Sequence, residues 1–221
     1  MEYLGMIIGQ GLIHMDPMKL AAIRDWHPPS SVKGVHSFLG FANFYRKFIP
    51  NYSNIVAPIV LLTQKDHPWS WTEPQQKAFD SLRTIFLSTP VLCIPDVLCP
   101  FLLMTDASLL AAGAVLMQPD ASGDLHPCAY FSKTFSAAEH NYDIYDWELL
   151  AVILALGKWK QYLQGTPYPV SVLTDHKNLS YLKDLHKLSH RQAHWSLFLQ
   201  DFDIIWTVTL GTQMGPADAL S

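Results

Sequence analysis

Hydrophobic and polar residues follow one pattern before residue 100 and another after it. In the first part, apolar residues recur mostly at helical spacing between proline and serine breaks. In the second part, short apolar runs typical of strands come first, and a long amphipathic helix follows. Pro90, Pro95 and Pro100 mark the boundary. The pattern therefore predicts a small, mostly helical unit followed by an α/β unit.

The first part opens with residues 3–15, where two short apolar runs around a glycine-rich turn predict a β-hairpin. Asp16, followed by a proline, predicts the start of a short helix. Further helices are predicted after Ser30 or Ser31 and after Thr72, which begins a capping box. The acidic residues of this part occupy caps, loops and solvated faces, so none of them is a catalytic candidate.

The second part alternates strands and helices. Three strand-like runs joined by short turns predict an antiparallel meander. Apolar residues at three- and four-residue spacing then predict the longest helix of the chain. The predicted strands are 101–108, 111–118, 126–132, 169–175 and 203–210, and the predicted helices are 141–163, 177–183, 189–201 and a short one begun by Gly215-Pro216. These elements predict an α/β fold with a mixed five-stranded sheet.

Composition and charge limit the possible functions. Apolar residues make up 49% of the chain and charged residues 15%, as expected for a folded domain with a real core. The net charge of −4 means that any nucleic-acid binding must use local basic patches or metal ions. Three cysteines without zinc-ligand spacing are expected to be ordinary reduced thiols. The chain shows no secretory signal and no apolar run of membrane-spanning length, so we expect an intracellular protein without a membrane partner.

Four acidic residues are the strongest chemical signal. Asp106 and Asp175 each end an apolar run on a Thr-Asp pair, Glu148 lies beside the apolar stripe of the long helix, and Asp218 starts the last helix. Each alone has an ordinary explanation: a turn after a strand for the first two aspartates, solvation for a helical glutamate, and a helix N-terminus for Asp218. Together they can converge on magnesium, which prefers carboxylate oxygens. Two such ions about 4 Å apart can support in-line displacement at phosphorus, so the set predicts a metal-dependent phosphodiesterase.

Basic and aromatic residues alternate in the first part. Lys33, Arg46 and Lys47 lie among Phe41 and Phe44, a combination that can contact nucleic acid through charge and stacking. An ordinary amphipathic helix with an aromatic core side and a solvated basic side explains the same pattern. From the residues alone, we favour this second interpretation.

Several motifs resemble one known family. The second part is similar to the ribonuclease H domain of gypsy-type LTR retrotransposon polyproteins, fungal elements above all, in the motifs TDAS, NYDIYDWELLAVILAL, TDHKNLSYL and ADALS. The first part resembles the reverse transcriptase of the same polyproteins in EYLGMIIGQGLIHMDPMKLAAIRDW and SFLGFANFYRKFIPNYSNIVAPI. The resemblance implies the end of the palm at 1–15, a thumb and connection region at 16–97, and a ribonuclease H-like domain with flanking helices at 98–221.

The resemblance also assigns roles to individual residues. It implies that the four acids bind two Mg²⁺ or Mn²⁺ ions and that the substrate is the RNA strand of an RNA–DNA hybrid. His176 and Lys177 follow the second strand acid as they do in the family, which implies a position near the hybrid, although a plain loop role explains them equally well. The palm and fingers of the remaining reverse transcriptase are the implied partners. The residues do not predict an oligomeric state.

The chain departs from the family in two places. It contains no Asp-Asp pair, so polymerase activity is not expected from this chain alone, and the resemblance implies a segment of a longer polyprotein or a degraded insertion. Residues 208–211 read Val-Thr-Leu-Gly where the family usually has His-Arg-Pro-Gly, a change that weakens phosphate contacts. A catalytically silent remnant that binds nucleic acid or a protein is therefore the alternative. A nuclease-fold integrase or resolvase fits the acids but not the first part.

Overall fold

The computed structural model describes residues 1–65, 67–88, 91–174 and 189–208. Within these ranges the chain forms two β-sheets, each packed against helices. The helices predicted at 177–183 and after residue 214 lie outside the described residues. The described helices include none that is long and apolar enough to cross a membrane.

The first sheet is built from four short antiparallel strands. They are β1 (Glu2–Tyr3), β2 (Met6–Gly9), β3 (Leu12–Met15) and β4 (Val91–Cys93), and they lie in that order. Gln10 and Gly11 join β2 to β3 with φ values of 53° and 76°, the left-handed pair that a tight two-residue hairpin turn requires. The predicted hairpin is therefore present. β4 is not predicted, because three residues are too few to show a period.

Helices pack against the first sheet around a shared apolar core. They are α1 (Pro17–Arg24), α2 (Val32–Phe44), a 3-10 helix (Arg46–Phe48), α3 (Tyr52–Leu61) and α4 (Glu73–Leu87). The predicted caps form: the Asp16 carboxylate accepts from the N–H of Met18 at 2.8 Å, and the Ser31 hydroxyl accepts from the N–H of Gly34 at 3.2 Å. Four phenylalanines are fully buried in the core: Phe38, Phe48, Phe79 and Phe86.

The second sheet has the predicted mixed topology, which confirms the predicted fold class. Its strands are β5 (Leu102–Ala107), β6 (Ala111–Pro119), β7 (Leu125–Thr134), β8 (Val170–Thr174) and β9 (Ile204–Val208). They lie in the order β7-β6-β5-β8-β9. β5, β6 and β7 are antiparallel, whereas β8 runs parallel to both β5 and β9. β5 is therefore the middle strand.

The predicted long helix over 141–163 is divided in the structure. A second 3-10 helix (Glu139–Asn141) precedes α5 (Ile144–Lys158), and α6 (Lys160–Leu163) follows it. Trp159 interrupts the helix with φ −111° and ψ 20° while its side chain is buried in the core under the sheet. The apolar spacing continues across the break, so the pattern alone predicts one helix. α7 (His190–Leu199) is the remaining described helix and packs against α5.

A buried glutamine connects the two parts of the chain. Gln118 of β6 is only 5% exposed and bonds the segment between β4 and β5. Its amide donates to the carbonyl oxygens of Asp96 at 2.7 Å and Cys99 at 3.2 Å, and its oxygen accepts from the N–H of Asp96 at 2.8 Å. The linker is thus fixed to the second sheet by three hydrogen bonds. The predicted domain limits at 15/16 and 97/98 stay a prediction.

We predict that Gln118→Ala lowers the free energy of unfolding by about 2 kcal/mol, because it leaves the polar groups of the linker without their partner. Urea unfolding of the purified chain measures the change. The exposed Gln64 is the matched control, and Gln64→Ala is expected to change the free energy by less than about 0.5 kcal/mol. Equal effects of the two substitutions would contradict the assigned role of Gln118.

Candidate active site

Asp106 lies next to the end of the middle strand of the second sheet. It is half-buried, and its partner on the neighbouring strand β6 is Gly113. Because glycine has no side chain, none lies directly opposite the carboxylate on that strand. β8 runs parallel to β5, with Met104 opposite Leu173, so both strands end at the same edge of the sheet. Asp106 is therefore presented at an edge where two parallel strands terminate, a position where α/β proteins commonly place functional groups.

Glu148 is carried by α5, which packs across β5 and β6. Its neighbours along the helix are almost all apolar, and the side chain itself is only 6% exposed. Val152, Ala155 and Leu156 of α5 share a core with Leu103 of β5 and residues of β6. This packing fixes the orientation of α5 about its axis. The Glu148 side chain is therefore shielded from solvent.

The structure brings Asp106 and Glu148 to the same end of the sheet. Ala107, the residue after Asp106, packs with Ala112 of β6 against Leu150 and Ala151 of α5. Leu150 and Ala151 lie two and three residues after Glu148 in the helix, within one turn of it. Two carboxylates from elements far apart in sequence thus come to one region.

The other two predicted acids, Asp175 and Asp218, lie outside the described residues, as do His176 and Lys177. Asp175 directly follows Thr174, the buried last residue of β8. Over the part of the chain that the structure describes, no group of three or more His, Cys, Asp or Glu side chains is arranged to hold a metal ion. The four-acid set therefore stays a prediction.

A partly buried ion pair near Glu148 is absent from the sequence predictions. Asp146, two residues before Glu148 on α5, is 3% exposed and forms an ion pair with Arg191 of α7, whose side chain is 37% exposed. The amide of Gln192 donates to the other oxygen of the same carboxylate at 2.9 Å. The first turn of α5 is thereby tied to the first turn of α7. Sequence spacing does not show this contact, because the partners are 45 residues apart.

Arg191 also stacks on an aromatic ring. Its guanidinium carbon lies 3.6 Å from the ring centroid of Tyr142, which immediately precedes Asp143, the N-cap of α5. Partial burial lowers the pKa of Arg191, but the hydrogen bond and charge of Asp146, followed by Tyr142, outweigh burial and raise the pKa overall. The guanidinium is therefore firmly charged, and it holds both Tyr142 and Asp146 at the start of the helix that carries Glu148.

The three basic residues predicted in the first part do not form one cluster. Lys33 lies in the first turn of α2, whereas Arg46 and Lys47 follow its last turn, roughly 20 Å away at 1.5 Å per residue. Arg46 is exposed. Lys47 is half-buried, its ammonium lies 5.5 Å from the Phe48 ring centroid, and burial lowers its pKa. Arg46 and Lys47 line a cavity of about 320 Å³ between the two parts of the chain.

The topology of the second sheet and its covering helix define a ribonuclease H-like fold. A family model described as the RNase H-like domain found in reverse transcriptase matches residues 96–202. This part of the chain therefore has an RNase H-like fold and is similar to the domain of that description in reverse transcriptases.

The whole chain is similar to a segment of retrotransposon polyproteins, as the motifs predict. It is 39% identical over 201 residues to the transposon Tf2-3 and Tf2-4 polyproteins of Schizosaccharomyces pombe. The match covers 90% of this chain but only 15% of each polyprotein. The predicted relationship to a retrotransposon polyprotein is confirmed, and the similarity extends well beyond the RNase H-like domain.

Solved structures agree on the fold of both parts. The foamy viral protease-reverse transcriptase in complex with dsDNA superposes with a TM-score of 0.78 at 23% identity, covering 96% of this chain and 45% of that one. The same protein in complex with an RNA/DNA hybrid gives 0.77 at 22% identity, covering 99% and 30%. Because the likeness spans nearly the whole chain, the first part shares its fold with a protease-reverse transcriptase as well.

We predict that Asp146→Asn lowers the free energy of unfolding by about 1 kcal/mol, because it removes the charge of a buried carboxylate whose partner, Arg191, is partly exposed and screened by solvent. Thermal or urea unfolding measures the loss. Asp143, the exposed N-cap of α5, provides the control, since asparagine caps a helix about as well as aspartate. A loss for Asp143→Asn as large as that for Asp146→Asn would contradict the role of the ion pair.

Proposed function

We propose that the chain is a ribonuclease H-type endonuclease that hydrolyses the RNA strand of an RNA–DNA hybrid with the help of divalent metal ions. The observation that carries the proposal is the buried Glu148 on the helix that packs beside the strand end bearing Asp106. The position of both carboxylates at one end of the sheet places negative charge from two elements in one region. Divalent metal ions bound there would be attracted by that charge.

The donor set fits magnesium or manganese. Both described acids offer carboxylate oxygens, the ligands that hard divalent cations prefer. Asp106 and Glu148 would hold the ions together with Asp175 and Asp218. Bound there, two such ions would supply positive charge at the phosphate under attack and a more acidic water.

Other parts of the fold hold the Asp106 and Glu148 carboxylates in place. The packing of α5 fixes the orientation of the helix about its axis and so the position of Glu148. The Asp146–Arg191 pair fixes the first turn of the same helix. Asp106 is held by its pairing with Gly113 of β6, on a strand that β8 flanks on the other side as far as Met104. Rigid carboxylates lower the entropy that must be lost when the substrate phosphate is oriented.

The proposed substrate and partners follow from the relatives. The foamy viral enzyme has been solved with an RNA/DNA hybrid, and we extend that class of ligand to this chain. Lys33, Arg46, Lys47, His176 and Lys177 are the proposed contacts to the hybrid backbone. The palm and fingers of a reverse transcriptase are the proposed protein partners, and the proposed location is intracellular.

We predict that Asp106→Asn and Glu148→Gln each lower the rate of hybrid cleavage at least about 100-fold, because each removes a charged metal ligand. A 5′-labelled RNA–DNA hybrid, with single-stranded RNA as a second substrate, measures the rate in magnesium and in EDTA. Asp124→Asn, in the exposed turn before β7, is the matched control and is expected to leave the rate unchanged.

The outcomes separate the proposal from its alternative. Cleavage of the hybrid that depends on magnesium and on both acids supports the nuclease. Cleavage that survives both substitutions or continues in EDTA contradicts it. A folded wild-type chain that binds the hybrid without cutting it identifies the silent remnant.

We further predict that Arg46→Ala weakens hybrid binding, because an exposed arginine on a phosphate displaces one counterion. The slope of the logarithm of the association constant against the logarithm of the salt concentration should become smaller in magnitude by about 1. Fluorescence anisotropy over a salt series measures the slope. Lys65→Ala removes an exposed charge elsewhere on the same part of the chain and serves as the control. Identical slopes for wild type and Arg46→Ala would exclude this contact.

A further inference from the structure

Two cysteines meet where the two sheets touch. Cys93 is the last residue of β4 in the first sheet, and Cys128 lies in β7, the edge strand of the second sheet. Their sulfur atoms are 3.0 Å apart although the residues are 35 positions apart in the chain. Both are free thiols. The pair therefore lies across the junction between the first part of the chain and the RNase H-like domain.

The two thiols differ in accessibility and in acidity. Cys93 is half-buried, whereas Cys128 is 3% exposed and lies 3.8 Å from the side-chain oxygen of Gln118. The hydrogen bond from Cys128 lowers the pKa of Cys93 to about 7 against the opposing effect of burial, and the same contact raises the pKa of Cys128. Near neutral pH, Cys93 is thus the sulfur that carries negative charge and can be reached from solvent.

We propose that Cys93 and Cys128 form a redox-sensitive thiol pair that peroxide closes into a disulfide, tying the first sheet to the RNase H-like sheet. The proposal does not depend on nuclease activity. It rests on the contact of two sulfurs from separate sheets and on the difference in their exposure.

The chemistry uses hydrogen peroxide as the oxidant. The Cys93 thiolate attacks one peroxide oxygen, the O–O bond breaks, and the leaving hydroxide takes a proton to become water. Cys93 is then a sulfenic acid. The Cys128 sulfur attacks the Cys93 sulfur, the S–O bond breaks, and the oxygen leaves as a second water with the Cys128 proton. Two thiols are oxidised by two electrons, and one peroxide is reduced to two waters.

The third cysteine provides an internal comparison. Cys99 lies in the linker after β4, where its thiol contacts the Asp96 carboxylate at 3.6 Å. Desolvation and the Asp96 carboxylate raise its pKa, so it forms less thiolate than Cys93. Cys99 is therefore expected to react more slowly and to take no part in the bond.

The full chain, treated with hydrogen peroxide and then with an alkylating agent, tests the proposal by peptide mass mapping without reduction. The expected product is an intramolecular Cys93–Cys128 disulfide. Because the bond closes a loop of about 35 residues in the unfolded chain, Tm is expected to rise by about 10 °C and to return on addition of dithiothreitol. Cys99→Ser is expected to keep both the bond and the shift, whereas Cys93→Ser and Cys128→Ser lose both.

Mapping of the wild-type chain decides the question even if a serine variant folds poorly. A disulfide that contains Cys99, a disulfide between two chains, or over-oxidation of Cys93 with Cys128 still reduced would each overturn the proposal. Unchanged thiols after peroxide treatment would overturn it as well.

Discussion

The burial of Glu148 is the constraint on which the candidate site depends. A carboxylate that is 6% exposed is unfavourable unless positive charge or hydrogen bonds compensate it. The apolar surface that α5 buries against β5 and β6 holds it there, and the Asp146–Arg191 pair fixes the start of the same helix. The strand order then brings Asp106 to the same end of the sheet. Packing, electrostatics and topology thus all help to define the end of the sheet where Asp106 and Glu148 lie.

The two parts of the chain are joined by specific polar and sulfur contacts along one side of the second sheet. Gln118 binds the linker, the hydroxyl of Ser132 on β7 accepts from the N–H of Ser53 at 3.0 Å, and Cys93 meets Cys128. Tyr130 of β7 also packs against the core of the first part. β7 therefore carries the contacts of Cys128, Tyr130 and Ser132 with the first part of the chain, and it lies on the opposite side of β5 from β8 and β9.

The sequence predicted what local spacing and capping encode. The meander, the parallel strand that ends at Thr174, and the caps at Asp16 and Ser31 follow from short-range rules. α3 is missed because Pro58 lies inside it and its apolar residues are not confined to one face. The Asp146–Arg191 and Cys93–Cys128 contacts are missed for another reason: they join residues 45 and 35 positions apart, and no local period reports such pairs. Asp106 and Glu148 are candidates from the residues themselves, because one ends an apolar strand and the other lies beside the apolar stripe of a helix. The resemblance adds only their match to the metal-binding acids of a known family, and their role as metal ligands stays a prediction.

The proposed nuclease requires Asp106 and Glu148 to share a divalent metal site. A crystal structure of the full chain grown with Mn²⁺ tests it directly through the anomalous signal of manganese. We expect an anomalous peak within about 2.5 Å of carboxylate oxygens of both residues, and the loss of that peak in Glu148→Gln. Well-ordered Asp106 and Glu148 side chains with no anomalous peak beside them would contradict the shared metal site. A manganese ion bound only by other residues would contradict it as well.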